Sequence, residues 1–228
     1  MIRRANARVL VLVGLVALSV VALGMLVLRK VVAPDADHYR FLIWNLILAW
    51  VPMLCALGAY DLHRRRFGRP VVALLAAVWL VFLPNAPYLM TDFIHLDKQP
   101  GVSLWYDTLL FGAFGLSGLL LGVVSLSLMH SLVRRVLSAA VAWSGVVVVL
   151  VLTSFGILLG RIQRWNSWDV LTNPGQLWAD VAGRSLNPLD HPRLLGWMIA
   201  FVAVIGTTYV VVHRLMESGR SAGEQTTA

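Results

Sequence analysis

Long apolar runs alternate with short polar connections along the whole chain. Runs able to cross roughly 30 Å of hydrocarbon at 1.5 Å per residue lie at about Val9 to Leu28, Phe41 to Tyr60, Trp105 to Met129, Ala139 to Leu159 and Leu194 to Val212. A sixth starts at Val71 and stops at Leu83, before Pro84. At about 20 Å of helix that run is too short to cross unaided. The pattern predicts an all-α fold, a polytopic transmembrane helix bundle of about six membrane segments with the third broken at Pro84 and Pro87. Residues 1–216 form a single membrane domain, and the small polar stretch 217–228 reads as a disordered tail. Arg3, Arg4 and Arg8 precede the first run as in a signal peptide, but its apolar core is long and no small-residue cleavage pattern follows, so a retained span is expected.

Composition excludes a soluble globule. The chain is 59% hydrophobic and 13% charged, with a mean hydropathy of +0.77, and that much apolar surface needs a lipid bilayer as its partner. The one cysteine, Cys55, lies within an apolar run and rules out a disulfide framework or a CxxC site. The net charge of +8 comes from short basic clusters at span ends, which is a topology signal. No nucleic-acid partner is expected. The N-terminus, the "DLHRRRFGRP" loop, "HSLVRR" and the tail after Val212 carry the basic excess, opposed only by Asp61, Glu217 and Glu224. The other connections balance their Lys and Arg with aspartates, so both termini are assigned to the cytoplasm.

The break in the third run is the first candidate site. Pro84 and Pro87 lack N–H groups and leave carbonyls one turn earlier without partners, a state tolerated at membrane depth only beside other protein or a wet cavity. Asn85 is expected to cap a second short helix, with Pro87 in its first turn. On that helix Tyr88, Thr91 with Asp92, and His95 share one face, while Leu89, Phe93 and Leu96 form another.

A second polar knot, "LLGRIQRWNSWDVL" at 158–171, follows the fifth span. Arg161 and Arg164 lie three residues apart on the side where basic residues are disfavoured. Asp92, Asp107 and Asp169 are the available carboxylate partners, with lipid phosphate or an anionic ligand as alternatives. Simple snorkelling to the interface is the competing explanation for either arginine alone. Outer tryptophans such as Trp105 and Trp168 fit an aromatic belt. The small-residue stripes Gly115, Gly118, Gly122, Ser125 and Gly156, Gly160 read as close helix packing.

Four stretches, "WNLILAWVP" at 44–52, "FLPNAPYLMTDFIHL" at 82–96, "WYD" at 105–107 and "FGILLGRIQRWNSWD" at 155–169, together resemble an integral-membrane family of bacteria, domain of unknown function 1361. The resemblance covers about 41–181. It implies a multi-pass protein of the bacterial cytoplasmic (inner) membrane, and it brings no established activity. The signature positions it implies here are Asn45, Pro84, Asn85, Pro87, Tyr88, Asp92, His95, Trp105, Asp107, Gly160, Arg161, Arg164, Asn166, Trp168 and Asp169.

Three function classes follow. The leading one is an outer-facing pocket, built from Asn85, Tyr88, Asp92, His95, Asp107, Arg161, Arg164, Asn166 and Asp169, that binds or transports a small polar or anionic solute or a lipid headgroup. The alternative is a membrane-embedded enzyme, acid/base or metal-assisted, acting on a lipid-linked or periplasmic substrate, with Asp92, His95 and Asp107 as the catalytic candidates. No HExxH, GxSxG or nucleophilic serine or cysteine context accompanies them, which weakens the enzyme signal, and no metal or cofactor is assigned. Third, the polar knots could serve only to lock helices together in an assembly partner.

Overall fold

The computed structural model describes residues 2–33, 39–65, 68–99, 101–163, 165, 167–176, 179 and 192–225. Its elements are α1 (Ile2–Val32), α2 (Phe41–Arg64), α3 (Arg69–Phe82), α4 (Asn85–Tyr88), a 3-10 helix (Leu89–His95), α5 (Leu104–Val133), α6 (Ala139–Gln163), α7 (Asp169–Thr172) and α8 (Pro192–Gln225). Among the described residues the fold is all-helical. Six segments are long and apolar enough to cross a membrane, the third being the interrupted run Arg69–His95. The chain is a multi-pass membrane protein. Helix α8 continues to Gln225, through most of the stretch from 217 that composition alone assigns to a tail.

Helix α5 is the axis of the bundle. It is buried on nearly every side from Leu110 to Leu132, and its serines turn inward to bond carbonyls of their own helix, as Ser117 does to Ala113 at 2.7 Å. Helices α1, α2 and the broken third span pack around it, with α6 and α8 closing the far side. Val9, Leu10, Leu74, Val147, Val148 and Ile199 are exposed, as side chains that face lipid must be.

The short connections force an up-and-down path, so one end of the bundle gathers the C-termini of α1, the third span and α6 with the N-termini of α2 and α5. Ring contacts tie that end together: Tyr39 meets Phe111 edge-on at 4.8 Å, and Phe41 meets His95 at 5.0 Å. The small-residue stripes have a more specific task than general helix packing. A Cβ on Gly118 of α5 would stand 2.2 Å from the Ala86 carbonyl oxygen, and one on Gly156 of α6 would stand 2.6 Å from Pro84 Cγ. The two glycines clasp the helix break from α5 and from α6, and only glycine admits a neighbour that close.

Candidate functional site

The break begins with backbone bookkeeping. Leu83 N–H still bonds the Trp79 carbonyl at 2.8 Å, and Tyr88 N–H resumes the pattern by bonding Pro84 O at 3.1 Å. Between them the missing proline N–H groups expose the end of α3. The Phe82 carbonyl accepts from Asn85 Nδ2 at 3.0 Å, and the Val81 carbonyl accepts from Ser167 Oγ at 3.2 Å. Asn85 Nδ2 also donates to Ser167 Oγ at 2.7 Å. Asn85 therefore does not cap the following helix, where the cap position falls to Pro84 and carries no side-chain bond. Its amide points back, because the unpaired carbonyls behind it outweigh the orphan N–H groups ahead. Those N–H groups are fewer than usual, since Pro87 contributes none.

Beyond the break the face carrying Tyr88, Thr91, Asp92 and His95 meets Arg161 at the end of α6. Arg161 Nη2 donates to Asp92 Oδ1 at 2.6 Å and to Thr91 Oγ1, while Nε donates to the same hydroxyl at 3.0 Å. The guanidinium lies 4.3 Å from the centre of the Tyr88 ring. Arg161 Nη1 stands 3.1 Å from His95 Nε2. A guanidinium can only donate, so Nε2 accepts and the remaining ring proton belongs on Nδ1. Asp92 Oδ2 accepts from Asn45 Nδ2 of α2 at 2.9 Å. The carboxylate is 1% exposed while Arg161 keeps 17%, so the pair presents its cationic member outward and buries the anionic one.

A cavity of about 500 Å³ opens beside this cluster, within the usual range for small-ligand sites. Asn45, Asn85, His95, Arg161 and Trp165 supply its polar wall, and Leu48, Val81 and Leu159 its apolar one. Amide, imidazole, indole and guanidinium groups thus line it together, so the wall carries both acceptors and donors. Among the described residues no group of three or more His, Cys, Asp and Glu side chains could hold a metal ion.

The remaining expected site residues have other places. Asp107 is not on the cavity wall. It forms a bidentate pair with Arg29 of α1, Nε to Oδ1 at 2.7 Å and Nη2 to Oδ2 at 3.1 Å, and Arg29 in turn lies 4.2 Å from the centre of the Tyr39 ring. Burial pushes the Tyr39 phenol above its ordinary value, so that ring stays neutral against the cation. Asp169 opens the turn α7 and accepts from Thr172 Oγ1 at 3.2 Å. Arg164 and Asn166 lie outside the described residues. Arg29 and Ser167 are participants that sequence reasoning missed. Arg29 carried one usable signal, a basic residue at the same disfavoured end as Arg161 and so equally in need of a carboxylate.

Comparison with curated proteins and with solved structures finds no match. A family model does match, and it reaches further than the quoted stretches do, from the start of α2 into the last span. The chain belongs to the family described as Protein of unknown function (DUF1361), whose model covers residues 44–208.

Proposed function

We propose that this protein binds, or carries across the membrane, a small polar or anionic solute or a lipid headgroup, received in the cavity beside the broken third span. The observation that carries the reading is the coincidence of three features at one place: a backbone break that only protein or a wet cavity can satisfy, a cavity of ligand size, and polar side chains on its wall. The Arg161–Asp92 pair leaves that wall close to neutral, which favours a hydroxyl-rich, zwitterionic or weakly anionic group over a multiply charged one. Six spans return both termini to one side, and the basic-residue bias assigns that side to the cytoplasm of a bacterial inner membrane, with the cavity facing outward.

A competing reading, the helix lock, draws on the same ion pair, since Asp92 is nearly inaccessible and both of its oxygens are engaged within the protein. Thermal unfolding of the purified protein in detergent separates the two. Glycerol phosphate, a monosaccharide and short-chain phosphatidylethanolamine serve as probes. At least one should raise the wild-type midpoint, and His95→Ala and Trp165→Ala should abolish that rise with the ligand-free midpoint unchanged. If no probe acts and Arg161→Ala lowers the ligand-free midpoint, the pair is a lock and the binding proposal fails.

A further inference from the structure

The opposite end of the bundle holds a second convergence of cations. Arg8, where the first span begins, donates from Nη2 to the Tyr60 hydroxyl at 2.6 Å, and Arg135, two residues past the end of α5, donates to the same oxygen at 2.7 Å. The two guanidinium carbons lie 4.4 and 5.1 Å from the centre of the Tyr60 ring. Sharing one oxygen holds the two Nη2 atoms within about twice a hydrogen-bond length of each other. Like charges so placed repel, and neither arginine ion-pairs with a carboxylate among the described residues.

The phenol completes the set. Its oxygen accepts from both guanidinium groups, so its own O–H is left to donate, and among the described residues no acceptor receives it. Tyr60 is only 4% exposed, whereas both arginines are exposed. One buried hydroxyl thus gathers two guanidinium groups, and their remaining N–H donors meet no carboxylate among the described residues. That is the inverse image of a tetrahedral oxyanion, which offers only acceptors and negative charge. All three residues sit at span ends, the depth at which phospholipid headgroups lie.

We infer that Arg8, Tyr60 and Arg135 form a phosphate site, filled by the headgroup phosphate of an anionic phospholipid. The same chemistry would accept phosphate free in solution, so the test carries an arm for each source. The full-length protein is released from detergent in native mass spectrometry after exposure to phosphatidylglycerol or to phosphatidylcholine of matched chains. Phosphatidylglycerol should be retained in preference. Arg8→Ala and Arg135→Ala should each lower its retention about tenfold, the loss of one charge-assisted contact. Arg135→Lys keeps the charge without the fork and should fall between. Tyr60→Phe keeps the ring, removes the O–H, and should also weaken retention. Exposed Arg65, on the same loop side of α2, is the control, and Arg65→Ala should change nothing. Each variant must match the wild-type unfolding midpoint in phosphatidylcholine, which separates lost binding from lost fold. Should inorganic phosphate displace phosphatidylglycerol, the phosphate site stands and the lipid source is overturned. Equal retention by every variant, or an equal loss from Arg65→Ala, reduces the cluster to general interfacial charge and overturns the site.

Discussion

Arg29 and Asp107, 78 residues apart in sequence, meet through two parallel hydrogen bonds with each side chain 1% exposed. The pair fastens the first span to the central fourth one. Such a pair costs desolvation on both sides and gains it back only when the geometry is good, so its removal is asymmetric. Arg29→Ala or Asp107→Ala alone should lower stability in detergent by about 3 to 5 kcal/mol, because the survivor is left buried and charged. The joint replacement Arg29→Met with Asp107→Leu should recover most of that loss. Single variants that unfold with the wild type would show that the pair contributes nothing to holding α1.

The glycines around the break lead to a second expectation. A methyl group at Gly118 meets a backbone carbonyl and at Gly156 a proline ring, neither of which can rotate away, while Gly145 on the same α6 has nothing within 4 Å of its Cβ position. Gly118→Ala and Gly156→Ala should therefore each cost about 1 to 3 kcal/mol through forced separation of the helices. Gly145→Ala should be neutral or slightly stabilising through the better helix propensity of alanine. Unfolding midpoints of the three variants check the contrast, and equal behaviour of all three would sink the clasp.

Much of the architecture was legible in the chain because span length and apolar content are local properties. So was the break, since Pro84 and Pro87 act on backbone bonds within one turn. The grouping of Tyr88, Thr91, Asp92 and His95 on one face followed from helical spacing, and Arg161 is the cation that the structure sets against that face. Pairing between spans is a different matter. Asp92, Asp107 and Asp169 were equivalent as partners for the outer arginines, because which carboxylate a given arginine meets depends on the rotation of each helix about its axis, and that is decided by packing. Arg29 could take Asp107 only because α1 lies against α5. Helix-start chemistry is sequence-local and points Asn85 forward as a cap, whereas the carbonyls that claim its amide are exposed only by the fold. The same limit hid Tyr60, whose two arginine partners come from segments that meet only in three dimensions.

Topology offers a third check, independent of any side-chain geometry. The proposed topology, drawn from the basic-residue bias, puts the loop after Arg66 in the cytoplasm and the loop after Asn187 outside. Reporter fusions at those two positions should give cytoplasmic and external signals respectively. Reversed signals would move the cavity to the cytoplasmic face and the Arg8–Tyr60–Arg135 cluster to the outer one.

The sharpest expectation concerns Asn85, whose amide is the break's own repair. Its Nδ2 serves the Phe82 carbonyl and Ser167 Oγ, and Ser167 in turn serves the Val81 carbonyl. Asn85→Ala removes the donor but leaves room, and because the residue lines the cavity, water can enter and bond Phe82. The cost should stay near the low end of the about 1 to 3 kcal/mol expected for an unsatisfied buried acceptor. Asn85→Asp keeps the shape and excludes that water while replacing two N–H donors with oxygen. Its carboxylate would face the Phe82 carbonyl, acceptor against acceptor, and would draw the Ser167 hydroxyl away from Val81 to satisfy itself. Two carbonyls then lose their partners at membrane depth, where each is costly. The isosteric change should thus destabilise more than the truncation, with Ser167→Ala between them or close to the alanine variant. Unfolding midpoints in detergent decide the order, and an Asn85→Asp protein as stable as Asn85→Ala would mean that the amide does not repair the break.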